Sequence, residues 1–161
     1  MFIFEHKKGF TLLELLIVIS IIGILAAILL SYLNPARSKG TEANIKSNLT
    51  NARSQAALFY ANSNTYAGLC AHSKIVSMIQ KATSVTGLTP QAGAYANTDI
   101  GAWNIETCHS DVTRYAIWVP LRDTSSGTSI GWCVDNTDGG SRRVTVAGAT
   151  GLAANALVCP P

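Results

Sequence analysis

Charge is scarce in this sequence: only 13% of its residues are Asp, Glu, Lys or Arg, while 48% are hydrophobic. The scarcity is uneven. From Phe10 to Leu30 the single charge is Glu14, and beyond Ser31 the chain turns to Asn, Ser, Thr, Gly and Ala. It reads as an apolar segment joined to a polar head. The head has no basic excess either. From Ser54 onward six Lys and Arg stand against six Asp and Glu, so the net charge of +3 arises near the apolar run. A nucleic-acid-binding head would need a clustered basic face, so no specific nucleic acid is expected as a partner. Signs of catalysis are also missing. There is no phosphate-binding glycine loop, no convincing triad, and no C-x-x-C pair that would suggest a zinc ribbon. We therefore expect no enzyme, no cofactor and no metal.

What is present is a hydrophobic run of helical length. At about 1.5 Å per residue, Phe10–Leu30 as a helix is about 32 Å long, close to the ~30 Å hydrocarbon core of a bilayer. A conventional signal peptide has a shorter apolar core ending at a small-x-small site; here Ala26-Ala27 is followed by more Ile and Leu. Flanking charge does not decide topology, because Lys7 and Lys8 precede the run and Arg37 and Lys39 follow it. Glu14 is the anomaly. A carboxylate costs about 2.5–3.5 kcal/mol at mid-membrane and less near an interface. Either it sits at headgroup level or a positive group lies close. A cut just before Phe10 would create such a group, a new α-amine four positions from Glu14.

The stretch Lys7-Lys8-Gly9-Phe10-Thr11-Leu12-Leu13-Glu14-Leu15-Leu16-Ile17-Val18-Ile19 resembles the leader and methylation segment of type IV prepilins and the related pseudopilins. The resemblance continues through Ile21-Ile22-Gly23-Ile24-Leu25-Ala26-Ala27-Ile28 and covers the stalk beyond more loosely. It implies that a membrane-embedded prepilin peptidase cleaves after Gly9 and methylates the new amine of Phe10. Residues 1–9 would be the leader, whose loss lowers the net charge from +3 to +2. Glu14 would then serve filament assembly by pairing with the Phe10 amine of a neighbouring subunit. In a low-dielectric core an unpaired charge is costly, so such a pair penalises wrong register more than it rewards assembly. The implied partners are further copies of this or related pilins in a helical filament, the peptidase and methyltransferase, an inner-membrane assembly platform, and the membrane itself. The implied location is a single pass through the cytoplasmic membrane before assembly and a cell-surface filament afterwards.

One departure stands out. Many pilins carry Pro where Ser31 stands, and in related filaments the helix is partly unwound between a glycine (here Gly23) and that proline. With Pro35 as the first proline, the extent of unwinding is open, and a kink is expected near Asn34-Pro35. Two alternative functions are a pseudopilin of a type II-like secretion system and a minor pilin acting as an adhesion or DNA-uptake module. Disulfides in the head lean toward a pilin, and a calcium loop would lean toward a pseudopilin.

The expected fold class is α+β, a long N-terminal helix packed on a small antiparallel sheet, which pattern and resemblance reach separately. Residues 10–33 would form the transmembrane and filament-core helix, 34–64 the amphipathic stalk, and 65–161 the disulfide-clamped head. In the stalk Ile45, Leu49, Ala52, Ala56 and Phe59 recur at helical spacing and should pack on a sheet. A short helix is expected over Lys74–Thr83 and a loop over Ser84–Asn104. Three strands follow, Arg114–Leu121, Ile130–Asp135 and Arg142–Ala147, the last two joined by a turn from Asp135 to Gly140. Cys108-His109-Ser110-Asp111 with His72 could suggest a metal site; disulfide cysteines beside surface histidines are favoured. Asp135 and Asp138 make a loose calcium pattern, but the EF-hand spacing and its terminal Glu are missing, so a plain turn is expected. Arg142-Arg143 are taken as solvated, and Trp103, Trp118 and Trp132 as core or interface anchors.

The four cysteines allow three pairings. We expect Cys133–Cys159, which would clip the C-terminal tail to a strand, and Cys70–Cys108, which would close the long irregular segment. Each could contribute about 3 kcal/mol by limiting the unfolded chain. Non-reducing peptide mapping should return these two linked pairs; a Cys70–Cys133 peptide would refute the pairing.

Overall fold

The computed structural model describes residues 9–97, 99, 101, 104–121, 128–137, 141–147 and 152–160, with residues 34, 35, 128, 129, 142, 146 and 147 described by backbone alone. Leader residues 1–8, Trp103 and the turn residues Asp138, Gly139 and Gly140 lie outside the described residues. The chain divides into two compact units, Met1–Lys39 and Gly40–Pro161. Helix α1, Leu12–Ser63, contributes to both.

In the first unit the apolar side chains of α1 are uncovered: Leu12 is 89%, Ile24 64% and Leu30 65% exposed. Such a surface suits hydrocarbon, and by length and composition this helix can cross a membrane. Two of its hydroxyls bond within the helix, Ser20 donating to the Leu16 carbonyl and Ser31 to that of Ile28, both at 2.7 Å. The helix passes Asn34 and Pro35 without a break, so the proline is not a helix stop. Proline removes one backbone donor, a local loss that intact turns on either side tolerate.

In the second unit α1 turns amphipathic, and the expected stripe is buried: Ile45, Leu49, Ala52 and Ala56 share one apolar cluster with Tyr115, Ile117, Val119 and Val134 of the sheet. Burial of Ile45 and of Leu49 is worth about 1.5–3 kcal/mol each, against about 0–1 kcal/mol for an exposed ion pair such as Arg143–Glu42 at 3.7 Å. The stripe, not the charges, holds this part of the helix down. After a 3-10 turn, Leu69–Ala71, comes α2, Ser73–Ser84, which buries Ile75, Ile79 and Ala82 at i, i+4 and i+7.

Among the described residues four strands follow: β1 Thr107–Ser110, β2 Tyr115–Pro120, β3 Thr128–Asp135 and β4 Arg142–Ala147. They form an antiparallel sheet in the order β1-β2-β3-β4. Three strands were expected; β1 is the addition. Its sequence, Thr-Cys-His-Ser, has no apolar run to announce it, yet all four residues are buried.

Burial of every residue of β2 shows why the sheet is more than a floor for helices. Tyr115, Ile117 and Val119 point to the helical cluster. Ala116 and Trp118 point the other way, into a second cluster with Cys133, Val144, Leu152 and Cys159. A sheet covered on both faces loses the alternation of a half-exposed one. The second cover is the C-terminal segment 152–160, which has no helix or strand. It is tied down by the Gly101–Leu152 backbone pair (2.8 and 3.3 Å) and by Asn155 N–H donating to Asn97 O at 2.6 Å.

The Trp118 indole is wholly buried, and Gly131 makes room for it. A Cβ on Gly131 would lie 2.6 Å from the indole Cζ2 and 2.6 Å from the Val119 carbonyl oxygen. Gly131→Ala should therefore lower the unfolding free energy by about 1–3 kcal/mol. The measurement is the urea midpoint followed by tryptophan fluorescence; an unchanged midpoint would mean the indole can move aside.

The β1–β2 turn is built on Asp111, whose carboxylate accepts from the backbone N–H of Arg114 and of Thr113, each at 2.6 Å, and from the Thr113 hydroxyl. The Arg114 bond first, and then the Thr113 bond, holds its carboxyl below the usual range. This stabilisation is present above the unfolded value of about 3.9 and is lost as pH falls through the lowered folded value. Asp111→Ala should flatten that acid limb of the stability profile.

Candidate functional site

Gly9, Phe10 and Thr11 precede the helix in non-helical backbone, and Phe10 is 83% exposed. Among the described residues, chain neighbours apart, no atom lies within 4 Å of where a Gly9 Cβ would stand. The Gly9–Phe10 bond is thus open and outside the hydrogen-bonded ladder of α1. Glu14 lies one turn on, in the first turn of the helix. Its backbone N–H donates to the Thr11 hydroxyl at 3.2 Å, and its Oε2 accepts from the Thr11 N–H at 3.4 Å. This reciprocal pair is a capping box, Thr-x-x-Glu, which satisfies two of the donors that a helix start leaves without partners. The negative side chain also suits the positive end of the helix dipole.

In the sequence Glu14 stands out as a charge, and Thr11 does not. The signal was there: Thr, then Glu three residues later, just before an apolar run. The magnitudes place the two roles. A helix cap is worth about 0.5–2 kcal/mol. A carboxylate at mid-membrane costs about 2.5–3.5 kcal/mol. Capping offsets part of that cost near an interface but does not cancel it deep in the bilayer.

The structure places the other sequence candidates in the head. Cys70 is bonded to Cys108 and Cys133 to Cys159, with Cα separations of 5.5 and 5.8 Å, inside the usual disulfide range. Among the described residues no group of three or more His, Cys, Asp or Glu could hold a metal ion. His109 was expected at the surface and is instead wholly buried, because its nitrogens meet backbone carbonyls. Asp135 is also buried; its carboxylate accepts from the N–H and hydroxyl of Thr137 and from the Cys159 N–H at 2.8 Å. Arg143 sits beside Glu42, Trp118 is in the core, and Trp132 is partly buried with Lys46 5.7 Å from its ring centre. Near the end of α1 an open groove of about 370 Å³ is lined by Gln55, Leu58, Phe59, Asn62, His72 and Lys74 among others. Ser63 also lines it, with its hydroxyl turned to the Phe59 and Thr65 carbonyls at 2.8 and 2.9 Å.

Over residues 6–30 the chain matches the family model described as the prokaryotic N-terminal methylation motif. It is 40% identical over 62 residues to the type IV wide pilus major component PilA4 of Thermus thermophilus, a stretch covering 38% of this chain and 47% of that protein. The matched part thus spans about half the length of that curated relative. No solved structure matches the chain significantly. The chain carries the prepilin-type N-terminal methylation motif, on a long apolar helix whose pairing with a small antiparallel sheet is consistent with the α+β type IV pilin fold.

Proposed function

We propose that this chain is a structural subunit of a type IV pilus or pilus-like filament, cleaved after Gly9 by a prepilin peptidase, methylated at Phe10, and polymerised through its N-terminal helix. The reading rests on one coincidence. An exposed, non-helical Gly9–Phe10 bond stands immediately before a capped helix whose single early charge is Glu14. Cleavage there would place a cationic amine at the positive end of the helix dipole, which is unfavourable alone. The Glu14 carboxylate, own or neighbouring, is the group that offsets it. Residues 1–9 would then be leader, 10–33 the filament core, 34–64 the stalk and 65–161 the surface head. The partners would be other copies, the peptidase with its methyltransferase activity, and an assembly platform in the membrane. The two disulfides and the PilA4 likeness favour a pilus over a secretion pseudopilin.

N-terminal sequencing of sheared surface filaments should give methyl-Phe10 as the first residue; an intact leader or another start would overturn the reading. Two variants then separate capping from charge. Glu14→Gln can still accept from the Thr11 N–H, whereas Glu14→Ala cannot. Both should insert and be cleaved, and both should assemble poorly if the charge is what matters. Normal filaments from Glu14→Gln would reduce Glu14 to a helix cap.

A further inference from the structure

His109 is wholly buried, and each ring nitrogen faces a backbone carbonyl oxygen. Nδ1 is 2.8 Å from the Ala156 oxygen and Nε2 is 2.7 Å from the Asp99 oxygen. A carbonyl oxygen only accepts. A neutral imidazole has one N–H and one lone pair, so one of these contacts would set lone pair against lone pair. The Thr107 hydroxyl, 3.4 Å from Nε2, does not relieve this, since the nearer carbonyl stays opposed. Two N–H donors satisfy both carbonyls, and among histidine forms only the imidazolium has two.

That charge would be held by the two carbonyls, against the cost of burial, and not by a carboxylate in contact among the described residues. Ala116 of β2 lies directly opposite His109, and Asp135 of β3 lies opposite Ala116, on the same face of the sheet. Two strand spacings put His109 and Asp135 about 10 Å apart. The Asp99 carboxylate is turned to the Ala96 N–H, and the Glu106 carboxylate accepts from the Gln91 N–H and the Tyr95 hydroxyl. The segment 152–160 carries no titratable side chain besides the bridged Cys159. Its Ala156 carbonyl meets His109, and its Cys159 N–H meets Asp135. The three peptide steps between them reach about 10 Å when extended, the width to be crossed.

We infer that His109 is a buried imidazolium whose second proton latches the C-terminal segment across the sheet, so that docking of residues 152–158 depends on pH while the disulfide retains Cys159. The donor end at His109 and the acceptor end at Asp135 pin the segment from β1 to β3. Deprotonation turns one carbonyl contact repulsive. Docking is therefore strongest while the ring holds both protons and weakens as pH rises through its titration.

The test uses the full chain in detergent micelles between about pH 5 and 9, the window in which histidine changes charge. Long-range proton–nitrogen spectra report the protonation of both His109 nitrogens. Amide exchange, corrected for intrinsic rate, reports residues 152–158. At the acid end both nitrogens should be protonated. Loss of the second proton should share its midpoint with a rise in exchange at 152–158, on the order of tenfold, while Ile117 and Val134 stay protected. In His109→Phe the segment should exchange fast at every pH, with Ile117 and Val134 again reporting a folded head. If that variant does not fold, the coincidence of midpoints in the natural chain decides. A neutral ring at the acid end with the segment still protected, or protection that ignores the ring's titration, would overturn the proposal.

Discussion

The head depends on keeping the Trp118 indole dry. This side chain sits mid-strand in β2 and points away from the helices, so the helical layer cannot cover it. The sheet must therefore be covered twice. Gly131 gives the ring space, Gly101 and Leu152 close over it, and Cys133 lies directly across from it on β3. The second cover has no secondary structure of its own, so its backbone groups need individual partners. Asn97, Gly101, His109 and Asp135 supply them. Buried polar residues that look out of place in a core are there because an irregular segment lies on top of them.

The first unit obeys a different rule. Among its described residues the apolar side chains of the helix are uncovered, a surface that suits hydrocarbon. In that setting a helix start is the expensive place, because donors without partners cannot turn to water. Thr11 and Glu14 meet that demand locally. One carboxylate can thus finish a helix and still present charge, which is economical where charges are so few.

Much of this was legible in the sequence. The stalk stripe from Ile45 to Ala56, helix α2 and strands β2 to β4 all follow from periodicity, with bounds moved by a residue or two. Strand β1 was not legible, because Thr107, His109 and Ser110 are polar and only their tertiary partners make them strand-like. The second cover was legible only through Cys159. Leu152 to Val158 has no period to read, and its place is set by contacts distant in sequence. At the helix start the Thr11-x-x-Glu14 spacing is in the sequence, and the helix start gives it meaning as a cap.

The two disulfides lie on opposite faces, Cys108 toward the helices and Cys133 toward the second cover. In mechanical terms this fixes where force enters. A pull applied beyond Cys159 passes through a covalent bond into β3, a strand hydrogen-bonded on both sides. Such a load is shared in shear between β2 and β4 instead of unzipping an edge. The stretch from Leu152 to Val158, with its contact to His109, lies off that path and stays slack under tension.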